Sequence, residues 1–168
     1  MYKIRFIAFL FALVFTAGEA FAQAGSRVAI GFTTYGSGPE KVIVLHDWNG
    51  NHDNYNPITP YLTSKMFTYA FMDIRGQGLS IGLKGEYTVD EIARDVFTLA
   101  DSLGWKQFHL VGHSFTAMVA QLAGGIDKES RIKSIISICG LPAQGAPFTK
   151  DNINFLRAVV DNRTVAEQ

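Results

Sequence analysis

The stretch Phe108-His109-Leu110-Val111-Gly112-His113-Ser114-Phe115-Thr116 decides the reading of this chain. A strand-like run meets a small residue and a serine, and a second apolar run from Phe115 to Ala123 starts at once. A junction of this kind mounts Ser114 on a sharp turn between a strand and a helix. Ser114 is therefore a candidate nucleophile. The bland alternative for the same residue is a helix cap, which involves no chemistry. No histidine follows Ser114 anywhere in the chain.

Working outward, the same alternation of strand and helix recurs. Val42-Ile43-Val44-Leu45, Ala70-Phe71-Met72 within Phe67 to Met72, Leu110-Val111, and Ile135-Ile136 within Ile132 to Ile138 carry no polar alternation. Strands covered on both faces of a parallel sheet read this way. Val28, Ile30 and Phe32 alternate with Ala29, Gly31 and Thr33, which predicts a half-buried strand before the turn residues Gly36-Ser37-Gly38-Pro39.

Between these runs, Thr88-Val89-Asp90-Glu91 forms a capping box, and Val89, Ile92, Val96, Leu99 and Leu103 repeat at helical spacing until Gly104. Tyr55 to Ser64 predicts a weaker helix, since Pro57 and Pro60 are tolerable only near a first turn. The helix after Ser114 is apolar almost all round, so it should be buried. Asp151 to Val160 predicts one more helix, beyond the loop Gly140 to Pro147. Regular alternation implies an α/β fold: a doubly wound, mostly parallel sheet with helices on both faces.

The first 22 residues read as an export signal. Lys3 and Arg5 give a positive start, Ile4 to Phe15 is almost unbroken apolar sequence, and Ala20-Phe21-Ala22 fits a cleavage site that leaves Gln23 first. The apolar run is too short to span a bilayer, and Glu19 follows it closely, so no stable membrane insertion is expected after cleavage. The expected location is secreted or periplasmic. The chain balances 15 Lys plus Arg against 15 Asp plus Glu without long charge runs. Such a balance points to neither nucleic acid nor an anionic membrane as partner. Cys139 is the single cysteine, which excludes an internal disulfide framework. At the end of an apolar strand pattern it reads as a small buried hydrophobe rather than a reactive thiol.

Two further landmarks precede the Ser114 junction. His46-Asp47-Trp48 follows the strand Val42 to Leu45, and Asp73-Ile74-Arg75-Gly76-Gln77-Gly78-Leu79-Ser80 follows the next strand. Together with Gly112 to Thr116, and in this order, they closely resemble the α/β-hydrolase superfamily with a serine nucleophile. The likeness covers Val28 to Ile138.

The resemblance implies Ser114 as nucleophile, with the backbone N–H groups of Phe115 and Trp48 as the two halves of an oxyanion hole. Asp47 stands where the family has a glycine, and Thr116 stands in place of the usual final glycine. Asp73 and Arg75 match a turn that is mainly structural, where charge-assisted hydrogen bonds lock a loop.

The superfamily order is serine, then acid, then histidine. After Ser114 the only carboxylates are Asp127, Glu129, Asp151, Asp161 and Glu167. None follows a further strand, so the catalytic acid and base are unassigned and the last strands of the fold are missing. The resemblance divides the chain into a leader (1–22), the amino-terminal part of a hydrolase core (23–146) and the start of a cap (147–168).

The remaining histidines are weak candidates. His113 adjoins Ser114, and adjacent side chains diverge in a tight turn, so it is a poor base. His109 lies within a strand and reads as a satisfied core residue. His46, Asp47, His52 and Asp53 have metal-ligating side chains, but their spacing fits no compact ligand arrangement. No metal and no cofactor are expected. Gly36-Ser37-Gly38 precedes a strand rather than a helix, so it offers no helix N-terminus to a dinucleotide.

The function implied is a secreted serine hydrolase acting on an ester or related acyl bond of a small molecule, truncated here and inactive as it stands. The competing reading is a non-catalytic ligand-binding module that keeps the fold.

Overall fold

The computed structural model describes residues 29–161, so the leader read at 1–22 and Val28 lie outside the described residues. Its centre is a five-stranded sheet built from β1 (Phe32–Gly36), β2 (Glu40–Leu45), β3 (Phe67–Met72), β4 (Phe108–His113) and β5 (Ile132–Ile138). The spatial order is β1-β3-β2-β4-β5. Only the β1–β3 pairing is antiparallel; β2 pairs in parallel with β3 and β4, and β4 with β5.

Side chains alternate across the sheet, so each strand feeds two layers. On one face Ile43, Leu45, Ala70, Met72, Phe108 and Leu110 pack against α1 (Val89–Ser102) and α2 (Phe115–Ile126). The other face is covered by a 3-10 helix, His52–Tyr61, whose Tyr55 packs with Val42, Val44 and Phe71. Tyr55 and Phe71 stack at 5.4 Å between ring centroids. The Tyr55 hydroxyl donates to the Leu45 carbonyl at 2.9 Å, and burial pushes its pKa up to about 12.

Helix α1 starts where its capping box places it. The Thr88 hydroxyl accepts from the Glu91 N–H, and Glu91 reaches back one residue beyond the cap to the Tyr87 N–H at 2.8 Å. Its last turn closes into Gly104 at φ 68°, a left-handed position suited to glycine. A third helix, α3 (Lys150–Asp161), follows the loop after β5.

Four expectations need correction. The first strand runs over Phe32–Gly36 rather than Val28 to Thr33, because the alternation continues through Tyr35 and Gly36 pairs with Thr68 before the chain turns. The helix read at Tyr55 to Ser64 is the 3-10 helix starting at His52; Pro57 and Pro60 lack the N–H donors that an α-helix needs there.

Strand β5 is not covered on both faces: Ile136 is 51% and Ile138 is 41% exposed. It lies at the end of the sheet, and the 3-10 helix does not extend over it. Cys139 is exposed rather than buried, because the chain leaves the sheet there at φ 47°.

Candidate active site

The apolar register of β4 carries the chain to Gly112, where α2 begins almost at once. A Cβ at Gly112 would collide with the Thr116 carbonyl oxygen and lie 2.6 Å from the Ala117 Cα. Only glycine lets the helix backbone sit this close to the strand.

Ser114 takes φ 55° and ψ −116°, far from the extended backbone of a helix cap, and its side chain makes no capping hydrogen bond. The capping explanation for this serine therefore fails. Its hydroxyl is left uncommitted at the start of α2, while its N–H is held by the Ile138 carbonyl of β5 at 2.9 Å.

A backbone conformation of this kind costs about 1–3 kcal/mol in a residue with a Cβ. Ser114→Gly removes that strain, offset in part by about 0.5–1 kcal/mol of added chain entropy in the unfolded state. It is therefore expected to melt a few degrees above Ser114→Ala, which keeps the strain. Calorimetry of the two variants checks this, and equal melting temperatures would refute the strain.

Thr116 fills the position of the missing glycine without pushing the helix away. Its fully buried hydroxyl accepts from the His113 N–H at 3.0 Å and lies 2.7 Å from the His46 carbonyl, to which it donates. The elbow that carries Ser114 is thus tied directly to the end of β2.

The loop after β2 is closed by a second set of bonds. The Asp47 carbonyl accepts from the Gly50 N–H at 3.3 Å and from the His46 Nδ1–H at 2.8 Å. His46 Nε2 accepts from the Ile74 N–H at 3.1 Å, so both ring nitrogens are engaged in a neutral ring. Burial pushes the His46 pKa below its ordinary value, partly opposed by the bond to Asp47. The Asp47 side chain turns toward Asn54, with 3.5 Å between Oδ1 and Nδ2. Asp47 therefore takes the glycine position with its carboxylate in the loop.

Asp73 and Arg75 hold the neighbouring loop. The buried Asp73 carboxylate accepts from the His52 N–H, His52 Nδ1 and the Leu79 N–H, each at 2.7 Å. Gly78, at φ 45°, lets that carboxylate sit against the backbone. Arg75 donates from Nε and Nη2 to both oxygens of Asp95, at 2.7 and 2.6 Å, and pairs with Glu91 through Nη1 at 2.6 Å. The Asp95 bonds push the guanidinium pKa further up, so it stays charged.

The two loops and the elbow border a cavity of about 860 Å³, open to solvent on one side, that brings Ser114, Phe115 and Trp48 together. No carbonyl among the described residues accepts from the Trp48 or Phe115 N–H. Most of the wall is apolar, including Ile74, Ile81, Met118 and Leu141, with Phe148 and Leu156 contributed from beyond β5.

None of the four histidines lines this cavity, and among the described residues neither does an Asp or Glu. His46 is committed to loop closure and His52 to Asp73. The His52–Asp73 pair had no sequence signal, because the partners lie 21 residues apart on separate loops. His113 does not face the cavity. His109 is not a core residue: its ring is 24% exposed and straps three strands, with Nδ1 2.7 Å from Ser134 Oγ and Nε2 3.3 Å from Glu40 Oε2. That glutamate is also bound by Lys133.

Comparison with known proteins places this geometry. The model of the alpha/beta hydrolase fold family matches residues 41–164. A serine hydrolase-like protein of Dictyostelium discoideum is 30% identical over 114 residues, covering 64% of this chain and 32% of that protein. An acetyltransferase component of an acetoin-cleaving system from Pseudomonas putida is 28% identical over 121 residues, covering 71% of this chain and 32% of that protein.

Among solved structures, a hypothetical protein of Pseudomonas aeruginosa superposes with a TM-score of 0.62 at 29% identity, covering 80% of this chain and 48% of its own. A marine microorganism esterase superposes at 0.68 with 20% identity, covering 78% and 49%, a likeness of fold alone. The chain thus spans about a third of these curated relatives and half of these solved structures. With its sheet order, its Ser114 elbow and this match, the chain belongs to the alpha/beta hydrolase fold family.

Proposed function

We propose that this chain carries the nucleophile half of a serine hydrolase acting on an ester or related acyl bond, exported to a secreted or periplasmic location. One observation carries the reading: Ser114 sits in a strained backbone with no capping bond, facing a cavity it shares with Phe115 and Trp48. Strain at a residue with a free hydroxyl is spent on aiming it.

In this reading Ser114 Oγ attacks the acyl carbon, and the N–H groups of Phe115 and Trp48 receive the developing oxyanion. The proton passes to a base that residues 1–168 do not supply, and water then releases the acid. Residues 147–168 begin a cap, a reading supported by Phe148 and Leu156 in the cavity wall.

A second reading, a ligand-binding module without catalysis, draws on a different observation: no histidine or carboxylate among the described residues lines the cavity. Hydrolysis of p-nitrophenyl acetate separates the two. Residues 23–168 alone are expected to turn over no faster than their Ser114→Ala variant. In the longer product of the same reading frame, Ser114→Ala should lower the rate at least about a thousandfold. Indifference of that longer product to Ser114→Ala would leave binding as the function. Robust Ser114-dependent turnover by residues 23–168 would instead put the base within this chain.

A further inference from the structure

A serine, a histidine and a carboxylate also stand together outside the Ser114 cavity, and the register of the sheet puts them there. His109 pairs with Val42 of β2 and with Ser134 of β5. Glu40 lies two residues before Val42, so it shares a face of the sheet with His109. Between the pairs Phe108–Ile132 and His109–Ser134 the register shifts by one, which leaves Lys133 as the extra residue of a bulge. Without that shift Lys133 would oppose His109, and Ser134 would turn to the opposite face.

The contacts are those of a nucleophile, a base and an orienting acid. Ser134 Oγ lies 2.7 Å from His109 Nδ1, and His109 Nε2 lies 3.3 Å from Glu40 Oε2. A carboxylate only accepts, so in the neutral imidazole Nε2 carries the proton and Nδ1 keeps a lone pair for the Ser134 hydroxyl. The Lys133 ammonium, bound to the same Glu40 oxygen, and then the His109 ring hold the Glu40 carboxyl below its ordinary range, which keeps it ionised. The His109 ring is 24% exposed and Ser134 is exposed, so a small acyl compound can reach the pair.

We propose that Ser134, with His109 as its base and Glu40 as a positioning residue, is a second acyl-accepting nucleophile that takes small activated esters. Ser134 Oγ forms a bond to the acyl carbon as its proton passes to His109 Nδ1. The bond to the leaving group breaks, and that group departs with the electron pair and takes up the proton. An acyl ester is left on Ser134. The cluster lies on an exposed face of the sheet rather than in the Ser114 cavity, so leaving-group quality selects the ester rather than fit to a pocket. A good leaving group matters here because oxyanion stabilisation is usually the largest contribution to acyl transfer.

The probe is p-nitrophenyl acetate, applied to the full chain in a Ser114→Ala background, and mass spectrometry of the digested protein locates the acetyl group. Ser134 should be acetylated at least about tenfold faster than Ser37, an exposed serine in the turn before β2. His109→Gln should slow that acetylation about a hundredfold, the usual share of a general base. Glu40→Gln should slow it about tenfold, because the ring proton is then no longer fixed on Nε2. The Glu40 side chain is 42% exposed, so Glu40→Gln should melt with its parent and tests the site even where His109→Gln loosens the sheet. Hydroxylamine should release the acetyl group, as an ester requires, whereas an acetyl on the Lys133 amine would stay.

Acetylation of Lys133 alone would overturn the proposal. So would acetylation of Ser134 no faster than of Ser37, or at an undiminished rate in Glu40→Gln. Since Ser114 is absent from every sample, these results stand apart from the esterase comparison that tests it.

Discussion

Replacing Arg75 with methionine is expected to cost about 3–5 kcal/mol of stability, the usual loss when one partner of a buried ion pair is removed. The Arg75 and Asp95 side chains are 6% and 5% exposed. Methionine matches the length of the side chain but leaves the Asp95 carboxylate without its two charge-assisted bonds and with no water to replace them. The Lys84 carbonyl and Glu91 lose their shared donor as well.

The control is the double replacement Arg75→Met with Asp95→Leu. A buried pair exchanged for apolar side chains is often close to neutral. Most of the loss should therefore return, even though two substitutions are present instead of one. Urea denaturation of wild type, single and double variants measures this; a loss below about 1 kcal/mol for Arg75→Met would show that the pair behaves like an exposed one.

Thr116→Val is expected to lose about 2–4 kcal/mol, from two orphaned groups at about 1–3 kcal/mol each. Valine keeps the shape, so packing hardly changes. The His113 N–H loses its acceptor and the His46 carbonyl its donor, beside the fully buried Thr116 and His46 side chains. Thr116→Ser retains the hydroxyl and should fall within about 1 kcal/mol of wild type, the worth of the lost methyl.

Thr116→Gly restores the residue usual in the family yet should be destabilising, since it empties the site and adds a glycine to a helix. Because the hydroxyl joins the elbow to the end of β2, the amide resonances of Trp48 and Phe115 should shift together in Thr116→Val and stay in place in Thr116→Ser. Movement of the Phe115 resonance alone would break that link.

Much of this was legible in the sequence wherever the signal was local. The apolar runs at Val42, Phe67 and Leu110 mark central strands, and Thr88 to Glu91 marks the start of α1, because burial on two faces and capping each leave a short-range pattern. Ser114, Phe115 and Trp48 were named from three separated landmarks, and one cavity holds all three.

What escaped notice depended on long-range partners. Gly36 looked like a turn residue but ends a paired strand, since its partner Thr68 lies in β3. His52 carried metal-ligating chemistry at a spacing that fits no site, and its actual partner, Asp73 at Nδ1, lies on a separate loop. Cys139 and β5 looked buried from their own hydrophobicity. Their exposure is a property of the sheet's boundary, which no window of residues around Ile135 encodes.

The bond from the Ser114 N–H to the Ile138 carbonyl makes the last strand a clamp on the elbow. Edge strands open most readily, and local openings set amide exchange rates. The elbow's geometry is thus coupled to the pairing of β4 with β5. A change in that pairing therefore reaches the nucleophile from outside its own cavity.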